Sequence, residues 1–571
     1  MSIRSVGTVF LMSACAIATA SLVSVISQPQ RSSLESAAPL TQNRSWRSSP
    51  AAIAAASVAP GHRWFVGDGL FVSSIDPLAQ AADGVPADWA SSLHVANPGG
   101  AAAHVVITVY RTGSAPSHSA IEVPAGRLYT IDLARRRDIP RGSAFWIAIE
   151  ADQPVFPQLV HQTFRPWDLV PEGLTMVTPQ LAPLDDSHAE LIYPDAFQGG
   201  TPRWIEQETI TLLNPWPTPA SAHLTFQFRD GRPIRTHDVT LPAERVSVVD
   251  LPQLFPDEGT ALDPVLSGDF SITIAATEPV VTQQTRRVYW RGRKEVTSLS
   301  ARVPLRQAEA LEAREWYYAG GWTRDLHHLP RDGQTDRTWQ LLFTYPVDTR
   351  ARTALLRPLT VATSPTADPL PLATTRSDLQ WLHQSPWREL FGGDDRPWGF
   401  TLKADGPIAP AVVTAEFEAW SQAMPGGMGS GNLVSDVAAG LQESWLGVAY
   451  HGGADYQPTD WSAAWQIVNP GATPLRAELT FFTSDAPPSV YHVTVAPGRV
   501  VRVNGGDVPG LPTDRPFTVR ARGDQPFAAF TWVRANARGE SALRAMSGSS
   551  GVGVKLETAP LVTGTAPTTV Q

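Results

Sequence analysis

The sequence predicts an all-β protein: four tandem β-sandwich domains that follow an N-terminal export segment. Two observations predict this architecture, a set of landmarks that recurs at the spacing of a whole domain and a composition rich in turn residues. The chain has 571 residues, with 51 Pro, 43 Gly and only 17% charged residues. Such a composition suits short strands joined by many turns rather than long helical arrays. The length by itself predicts about three to five domains.

The landmarks are clearest between Glu208 and Arg286, and they recur in two other parts of the chain. Each Asn-Pro pair is followed by the Arg of a tight turn at a spacing that is constant to within one position, and an Asp or Asn lies five positions after that Arg. The paired Asn and Arg residues are Asn97 and Arg127, Asn214 and Arg245, and Asn469 and Arg499. Because fixed spacings rarely recur by chance, we infer a repeat of about 120 residues, which is the size of a domain.

We interpret these six Asn and Arg residues as structural turn residues. The Asp or Asn that follows each Arg is five positions away, and an odd separation puts the two side chains on opposite faces of a strand. A simple same-strand ion pair is therefore excluded. An arginine that satisfies turn carbonyls or pairs across strands is the structural interpretation, and a ligand-binding arginine is the alternative.

Aromatic openings recur at intervals of the same domain size and extend the repeat to four copies. We define them as copy one (61–182), copy two (188–305), copy three (312–425) and copy four (441–560), followed by a tail at 561–571. Copy three is degenerate, because Tyr345-Pro346 replaces its Asn-Pro pair and its Arg turn is missing. Good helix formers predict a short helix within 306–315. Glycines predict a flexible loop at 425–431, with a further helix near 433–441.

Alternation of side chains predicts strands within the copies. In copy one, Val105, Ile107 and Val109 recur with the period of two that a strand requires. The segment 145–149 is apolar on both faces, which is typical of a strand inside a sandwich. In copy two, an alternating run ends at Asp230-Gly231, a dipeptide typical of a hairpin turn.

The N-terminal segment 1–27 predicts export. Arg4 precedes an apolar run from Val6 to Ile26, and Ala18-Thr19-Ala20 provides a small-x-small cleavage signal. Two alternatives remain, an uncleaved membrane anchor and a lipidated Cys15. Residues 28–60 are rich in Ser, Ala, Gln and Pro and predict a disordered spacer. We therefore expect an extracellular, periplasmic or surface-anchored protein, which touches a membrane only through this segment if it is retained.

Composition also restricts partners and chemistry. The net charge of −9 gives no general attraction to nucleic acid. The single cysteine, Cys15, lies in the N-terminal segment, so the mature domains have neither disulfides nor cysteine metal sites. The sequence contains no Gly-x-Ser-x-Gly elbow, His-Glu-x-x-His, P-loop or EF-hand motif. We predict no catalytic residue, no metal and no cofactor.

Together the motifs resemble the soluble sensory rhodopsin transducer family, although no single copy holds all of them. The matching residues are Trp316, Ala319 and Gly321 at an opening, Ala103–Thr108 and Ala222–Thr225 after the Asn turns, the turns Val123–Arg127 and Leu241–Arg245, and Pro279–Val281 with Gln283, Thr285 and Arg286 in a late strand. The resemblance implies a jelly-roll-like sandwich that assembles as a tetramer and binds a partner without catalysis. The rhodopsin-coupling role is not carried over, because that partner surface is cytoplasmic and this chain is predicted to be exported.

Four tryptophans near the openings are the candidates for a ligand site, namely Trp64, Trp316, Trp322 and Trp445. Sandwich loops often carry binding residues on a rigid scaffold, and a flat aromatic face suits the C–H surface of a sugar ring. If the chain binds a small ligand, we therefore expect a glycan or another extended polymer. The alternative is that these rings fill the ends of the sandwich cores.

The leading functional hypothesis is an exported, non-enzymatic binding or scaffold protein with an unknown protein or glycan partner. We expect a monomer with internal pseudo-symmetry, in which the four linked copies replace the separate subunits of the family tetramer. A secreted carbohydrate-active enzyme with an acid pair from separate copies is one alternative. A structural protein of the cell envelope is the other.

Overall fold

The computed structural model describes most of the chain beyond its N-terminal segment. The described residues are 63–68, 89–133, 136, 138–139, 143–164, 171–181, 184–200, 204–255, 266, 268–290, 296–323, 337–348, 350, 352–361, 369–374, 378–382, 387–391, 396–417, 425–435, 442–453, 459–513, 515–538 and 543–553. The predicted signal segment, spacer and C-terminal tail lie outside these residues.

The described part of the chain contains 36 strands, which fall into four consecutive sets of nine. Copy one contains β1 Arg63–Asp68, β2 Trp89–Ala96, β3 Ala103–Arg111, β4 Ser117–Val123, β5 Leu128–Asp132, β6 Phe145–Ala151, β7 Phe156–Phe164, β8 Pro171–Val177 and β9 Gln180–Leu181. Copy two contains β10 Glu190–Gly200, β11 Trp204–Asn214, β12 Ala220–Phe228, β13 Arg235–Leu241, β14 Arg245–Asp250, β15 Gly268–Ala276, β16 Val281–Trp290, β17 Val296–Arg302 and β18 Leu305–Arg306.

The other two sets follow the same plan. The third contains β19 Glu315–Thr323, β20 Arg337–Pro346, β21 Arg352–Thr360, β22 Leu370–Thr374, β23 Asp378–Trp381, β24 Arg396–Ala404, β25 Ile408–Phe417, β26 Pro425–Asn432 and β27 Val434–Ser435. Copy four contains β28 Glu443–Ala449, β29 Thr459–Asn469, β30 Leu475–Phe482, β31 Ser489–Val495, β32 Arg499–Asn504, β33 Phe517–Gly523, β34 Ala528–Ala537, β35 Leu543–Ser550 and β36 Val552–Gly553. The described helices are α1 Gln307–Glu312 and α2 Trp387–Leu390, with 3₁₀ turns at Asp186–Ala189, Leu251–Gln253 and Gly505–Asp507.

Each set of nine strands forms two antiparallel sheets with one strand order. In copy one the sheets run β4-β3-β6-β1-β9 and β5-β2-β7-β8, and the corresponding strands of the other sets pair in the same order. Two additional pairings join sheets, one between β10 and β11 inside copy two and one parallel bridge between Thr360 and Arg499. The prediction of an all-β chain with sandwich-like domains is confirmed.

The core of each sandwich comes from the alternation seen in the sequence. On β12, Leu224, Phe226 and Phe228 share the inner face and are at most 2% exposed. On β6 the apolar residues of both faces are buried, because its outer face is covered by the neighbouring copy. The hydrophobic effect acting on these alternating faces accounts for both the sheet pairing and the register.

One corner recurs in all four sets, including the degenerate third. The residue after strand six accepts a hydrogen bond through its side chain from a backbone N–H at the start of strand three. The pairs are Asp152 with His104 at 2.8 Å, Thr277 with Ser221 at 3.0 Å, Asp405 with Thr353 at 3.1 Å and Asp524 with Arg476 at 2.9 Å. In each case the backbone N–H of that residue also bonds the carbonyl of the same partner. This double contact fixes the strand-three to strand-six register in every set.

The sets contact one another through a repeated arrangement. The first strand of each set lies against the seventh strand of the next, as β1 with β16, β10 with β25 and β19 with β34. The first strand of copy four, β28, lies in the same way against β7 of copy one. The eighth strands also follow a closed cycle, in which β8 contacts β17, β17 contacts β26, β26 contacts β35 and β35 contacts β8.

Glycines permit the close contact between copies three and four. A Cβ atom at Gly320 would lie 2.6 Å from the ring of Phe530, and one at Gly399 would lie 2.7 Å from a methyl of Val468. Distances this short leave no room for a side chain, so both positions require glycine for the two sheets to meet.

The third set differs from the sequence prediction at its end. The glycine-rich segment expected to be a loop forms β26, which pairs with β25, and the chain then continues into β27 within the range expected to be helical. The third set therefore extends past residue 425 to Ser435. Glycine is unfavourable in strands, but pairing with β25 and contact with neighbouring eighth strands outweigh this local preference. The helix expected within 306–315 is confirmed as α1.

Candidate functional site

Three of the four candidate tryptophans are core residues. Trp64 and Trp316 are 0% exposed and Trp445 is 1% exposed. An indole without an exposed face cannot stack on a sugar, so the platform hypothesis is wrong for these three rings. These three rings instead fill the hydrophobic cores, which is the alternative that the sequence analysis left open.

Trp64 packs in the core of its own copy, whereas Trp445 packs against the core of copy one. Its ring stacks on Phe156 of copy one with 4.8 Å between ring centres, and on Phe482 of its own copy at 5.6 Å. Phe156 also meets Trp64 edge to face at 5.5 Å. The opening aromatic of copy four is therefore part of the apolar cluster of copy one, and it helps to close the junction between the last copy and the first.

Trp322 is the candidate that stays partly exposed. It lies at the end of β19, and its ring extends over copy four. The guanidinium carbon of Arg502 is 4.0 Å from the ring centre and that of Arg534 is 4.9 Å from it. Both distances are within the range of cation–π attraction. Trp322 is therefore the one candidate among these four that is not buried.

The repeated asparagines hold their turns through the same buried contacts. The side-chain amide of Asn214 donates to the carbonyls of Thr218 at 2.8 Å and Leu241 at 3.1 Å, while its Oδ1 accepts from the N–H of Trp216. Asn97 and Asn469 make the corresponding bonds, and all three residues are 0% exposed. Asparagine suits this position because one side chain supplies two donors and an acceptor to backbone groups that no strand satisfies.

The repeated arginines lie directly opposite these asparagines. Arg245 faces Asn214 and Arg499 faces Asn469 in the strand ladder, and the carbonyl of Arg127 accepts from the N–H of Asn97 at 2.9 Å. Arg245 also donates to the carbonyl of Glu244 at 2.9 Å. Each arginine is half-buried where a strand starts, which is the geometry of a turn residue.

Copy two contains a buried charged cluster, formed by Asp195, Glu206, Glu208, Arg286 and Arg302, at the end of its sandwich remote from the Asn turn. Arg286 lies 2.5 Å from the Oε1 of Glu208, 3.1 Å from the Oε1 of Glu206 and 3.5 Å from the Oδ2 of Asp195. Arg302 is paired with Asp195. The exposed fractions of the five side chains run from 0% for Glu208 to 9% for Glu206. Charges this deep are tolerated only when they are paired.

Neutral groups complete the cluster. Gln284 donates to the Oε2 of Glu208 at 2.7 Å, and the N–H of Phe197 donates to its Oε1 at 3.0 Å. Glu208 therefore uses both carboxylate oxygens. These bonds fix the position of Glu208 relative to Arg286.

Burial governs the titration of the cluster. It raises the pKa of Glu206 to about 7, an effect that the neighbouring Glu208 reinforces and the guanidinium of Arg286 opposes. Burial likewise raises the pKa of Glu208. For Arg286, burial acts to lower the pKa, but the two glutamates outweigh it and the net shift is upward. Perturbed carboxylates are typical of functional sites, although structural ion pairs produce the same shifts.

The ladder position of Glu208 and Arg286 carries different chemistry in the other sets. Glu208 lies directly opposite Arg286 on strands two and seven. The corresponding pairs are Ser91 with His161 in copy one, Gln340 with Thr414 in copy three and Ala463 with Val533 in copy four. All of these residues are buried, and the Ser91 hydroxyl lies 2.7 Å from the Nδ1 of His161. The charged cluster is therefore a property of copy two and not of the shared fold.

Sequence reasoning singled out Arg286 only as part of a family motif and missed its partners. Glu206 and Glu208 are on the same strand face as Ile210 and Leu212, so the alternation contained a signal: two carboxylates on the core-facing positions of a strand. A charge on such a face requires a buried partner. The partner of Glu208 could not be predicted from local sequence, because Arg286 lies 78 residues away.

The described residues contain no cluster of three or more His, Cys, Asp or Glu side chains placed to hold a metal ion. Within the same residues, no helix has the length and apolar character needed to cross a membrane.

Comparisons with known proteins find a family similarity for one part of the chain. A search of curated proteins finds no match. Among solved structures, that of Thermotoga maritima 1070 is 18% identical, with a TM-score of 0.17 over 20% of this chain and 98% of its own. The tetra-tandem repeat in the extending region of a large adhesion protein is 10% identical, with a TM-score of 0.11 over 86% of this chain and 99% of its own. Such low scores carry no argument about function. Residues 188–303 match the family model for the Anabaena sensory rhodopsin transducer, so the resemblance inferred from the motifs is confirmed over copy two.

Proposed function

We propose that this chain is an exported, non-enzymatic binding or scaffold protein in which four transducer-like sandwich copies form one covalent ring. The supporting observation is the repeated contact of strand one with strand seven, which occurs between successive copies and again between β28 of copy four and β7 of copy one. In a linear chain of independent modules, the last and first copies would not be expected to make that contact.

The junction between copies four and one supports the ring with specific bonds. The side-chain oxygen of Gln158 in copy one accepts a hydrogen bond from the N–H of Val448 in copy four. The N–H of Met176 donates to the hydroxyl of Ser547 at 3.1 Å, and the N–H of Leu128 donates to the carbonyl of Thr483 at 3.0 Å. These contacts join residues that are hundreds of positions apart.

Covalent linkage gives such a ring a thermodynamic advantage over four separate subunits. Each copy is held close to its neighbours at a high effective concentration, so most of the entropy of association does not have to be overcome. Linkage also lets each copy diverge. In a homotetramer one residue occupies the same site in all four subunits, whereas in a single chain each copy has its own residue at that site. The charged cluster of copy two is an instance of that divergence, and its carboxylates are ion-paired and buried rather than presented to a substrate.

Light scattering and small-angle X-ray scattering on the intact chain test the ring. We expect a monomer of 61.6 kDa and a compact particle about as wide as it is long. A scattering profile of an extended, flexible chain would contradict the closed arrangement and would leave four independent modules.

Fractionation with N-terminal sequencing tests the export proposal. We expect the mature chain to start after Ala20 or to remain anchored through its apolar segment, and an intact cytoplasmic protein would contradict both. Assays of polysaccharide hydrolysis test the non-enzymatic proposal. Turnover that a single carboxylate substitution abolishes would instead favour the carbohydrate-active enzyme.

A further inference from the structure

The outer face of one sheet of copy four carries two arginines on either side of a central strand. Arg502 on β32 lies directly opposite Gln466 on β29, and Arg534 on β34 lies directly opposite Ser462 on β29. Cross-strand partners share a face, and positions 462 and 466 differ by an even number. Both arginines therefore project from the same face, which is the face turned toward copy three.

Trp322 of copy three crosses the junction onto this face. Its ring centre lies close to both guanidinium carbons, at 4.0 Å and 4.9 Å. The electron-rich indole offsets part of the repulsion between the two cations. Trp322, Arg502 and Arg534 are each only partly buried, so solvent reaches the group that they form.

A buried amide on the same face lacks partners. Gln466 is 0% exposed, and neither its oxygen nor its nitrogen has a hydrogen-bond partner among the described residues. The Oδ1 of Asn536, which lies opposite Asp460 on the same face, is also buried without one. Buried amide groups are nearly always satisfied, because an unpaired one has lost its bonds to water and gained none in return.

The corresponding positions at the other three junctions have no such group. Thr211 accepts a hydrogen bond from the indole of Trp146 at 3.3 Å, and His94 is bonded on both ring nitrogens. Phe343 has no polar side-chain atom. Among these four positions, Gln466 is the one whose buried side-chain amide has no hydrogen-bond partner on either atom. At the junction of copies one and two, the Oε1 of Gln283, opposite Thr211, is also buried without a partner.

We propose that this junction binds a uronate-bearing polysaccharide through Trp322, Arg502 and Arg534. An indole edge or face packs on the C–H surface of a pyranose. A guanidinium pairs with a carboxylate through two parallel bonds. Two guanidiniums at one ring favour an acidic sugar over a neutral one. Because the chain carries a net charge of −9, a polyanion has no general attraction to it and must find a local site.

The inference deepens the proposed binding function, and calorimetric titration of the intact chain tests it. The probes are a short oligomer of galacturonic acid and a neutral glucose oligomer of equal length. We expect the acidic oligomer alone to bind. Arg502→Gln and Arg534→Gln should each weaken binding about tenfold to a hundredfold, which is the range for a lost charge-assisted hydrogen bond. Trp322→Phe should weaken it severalfold while preserving an aromatic ring in the junction.

Arg232→Gln is the matched control, because Arg232 also lies over an aromatic ring, Phe228 at 4.2 Å, but in copy two. Its binding should equal that of the unmodified chain. Failure of the acidic oligomer to bind, equal binding of the neutral oligomer, or equal loss in the control would each overturn the proposal. Scattering on the same samples reports the ring separately, so loss of this site leaves the proposed scaffold standing.

Discussion

Copies two and four contain the same ladder position with opposite chemistry. In copy two a carboxylate and a guanidinium face each other at Glu208 and Arg286, and in copy four Ala463 faces Val533. Both pairs are buried between sheets of the same strand order. The fold therefore requires that this space be filled, but it does not require charge.

The comparison also indicates what the charges contribute. Taking two ions out of water costs several kcal/mol each, and a well-packed apolar pair of similar size is often at least as stable. The apolar pair of copy four shows that this alternative fits the strand ladder. The ion pair of copy two therefore gives no evident gain in stability over an apolar pair. Removing either partner alone, however, would leave the other as an uncompensated buried charge.

The largest expected effect follows from removing one partner. Arg286→Val should lower the free energy of unfolding by about 3–5 kcal/mol, because it leaves Glu206, Glu208 and Asp195 buried without their shared cation. Chemical denaturation of the intact chain measures the loss. Val533→Ala at the matched position of copy four should cost only about 2 kcal/mol, since it removes apolar atoms alone.

The double variant Glu208→Ala with Arg286→Val installs the copy-four pair in copy two and sharpens the comparison. It should be less destabilising than the sum of the two single changes, with a coupling energy above about 1 kcal/mol. Additive single effects would show that the two side chains do not stabilise each other.

The next largest loss of stability is expected at the turn asparagine, which copies two and four share. Asn214→Ala and Asn469→Ala should each cost about 2–4 kcal/mol, because each removes several buried hydrogen bonds to turn carbonyls. Asn469→Asp is the sharper variant, since its carboxylate cannot donate to those carbonyls. Thermal unfolding measures both, and an unchanged melting temperature would mean that water replaces the side chain.

Copy three shows how the fold survives without this asparagine. The register places Pro346, one residue after the Tyr345 suggested by the sequence, opposite Ile408 at the equivalent position. In copy one the backbone N–H at this position donates to the carbonyl of the turn arginine, and copy three lacks that turn. Proline has no N–H, so no donor is left without a partner there.

A smaller effect comes from His94, which occupies a junction position that is Gln466 in copy four. Burial lowers the pKa of His94 from 6.5 to about 3, and the neutral ring is bonded to Ser92 at 2.7 Å and Thr130 at 3.0 Å. Because the folded pKa lies below the unfolded one, the neutral form is fully favoured above pH 6.5 and stability falls as the pH decreases toward 3. Between pH 7 and pH 5 the loss should be about 2 kcal/mol.

His94→Gln isolates this contribution, because it places the copy-four residue at the same position without a titrating group. The difference in unfolding free energy between the two proteins should change by about 2 kcal/mol from pH 7 to pH 5. Glu206 acts with the opposite sign, since burial raises its pKa to about 7 and its contribution is lost as the pH rises. That term is common to both proteins and cancels. A pH-independent difference would place His94 in contact with solvent.

The sequence predicted the strands, the sandwich and the turn asparagines because these depend on local pattern. Alternation on β12 identifies its core face, and the spacing from Asn214 to Arg245 reflects one hairpin and its return. The orientation of the opening tryptophans was not readable. Trp64 and Trp445 both follow an aromatic-opening pattern, yet Trp445 inserts into the cluster of copy one. Which face an opening residue uses depends on the strand register and on the neighbouring copy, and neither is local.

The candidate site shows the same limit. Trp322 could be proposed from composition and position, but Arg502 and Arg534 belong to another copy and come together only through the junction. The prediction of a loop at 425–431 was wrong for a related reason, since glycine content reports local preference whereas β26 is stabilised by pairing with β25.

The smallest expected effect is a gain in stability at the Arg turn. Gly126 in copy one and Gly498 in copy four occupy the residue before the turn arginine with φ of 64° and 65°, and Glu244 occupies it in copy two with φ of 50°. A side chain in this left-handed region meets its own backbone, which costs about 1–2 kcal/mol, whereas glycine accepts it without strain. Glycine also raises the entropy of the unfolded chain, which offsets part of the gain. Glu244→Gly should therefore raise the free energy of unfolding of the intact chain by about 0.5–1 kcal/mol, and Gly498→Glu should lower it by a similar amount. If both changes destabilise, Glu244 must make a compensating contact that glycine cannot replace, and copies two and four would differ at this turn as they do at the ladder position of Glu208.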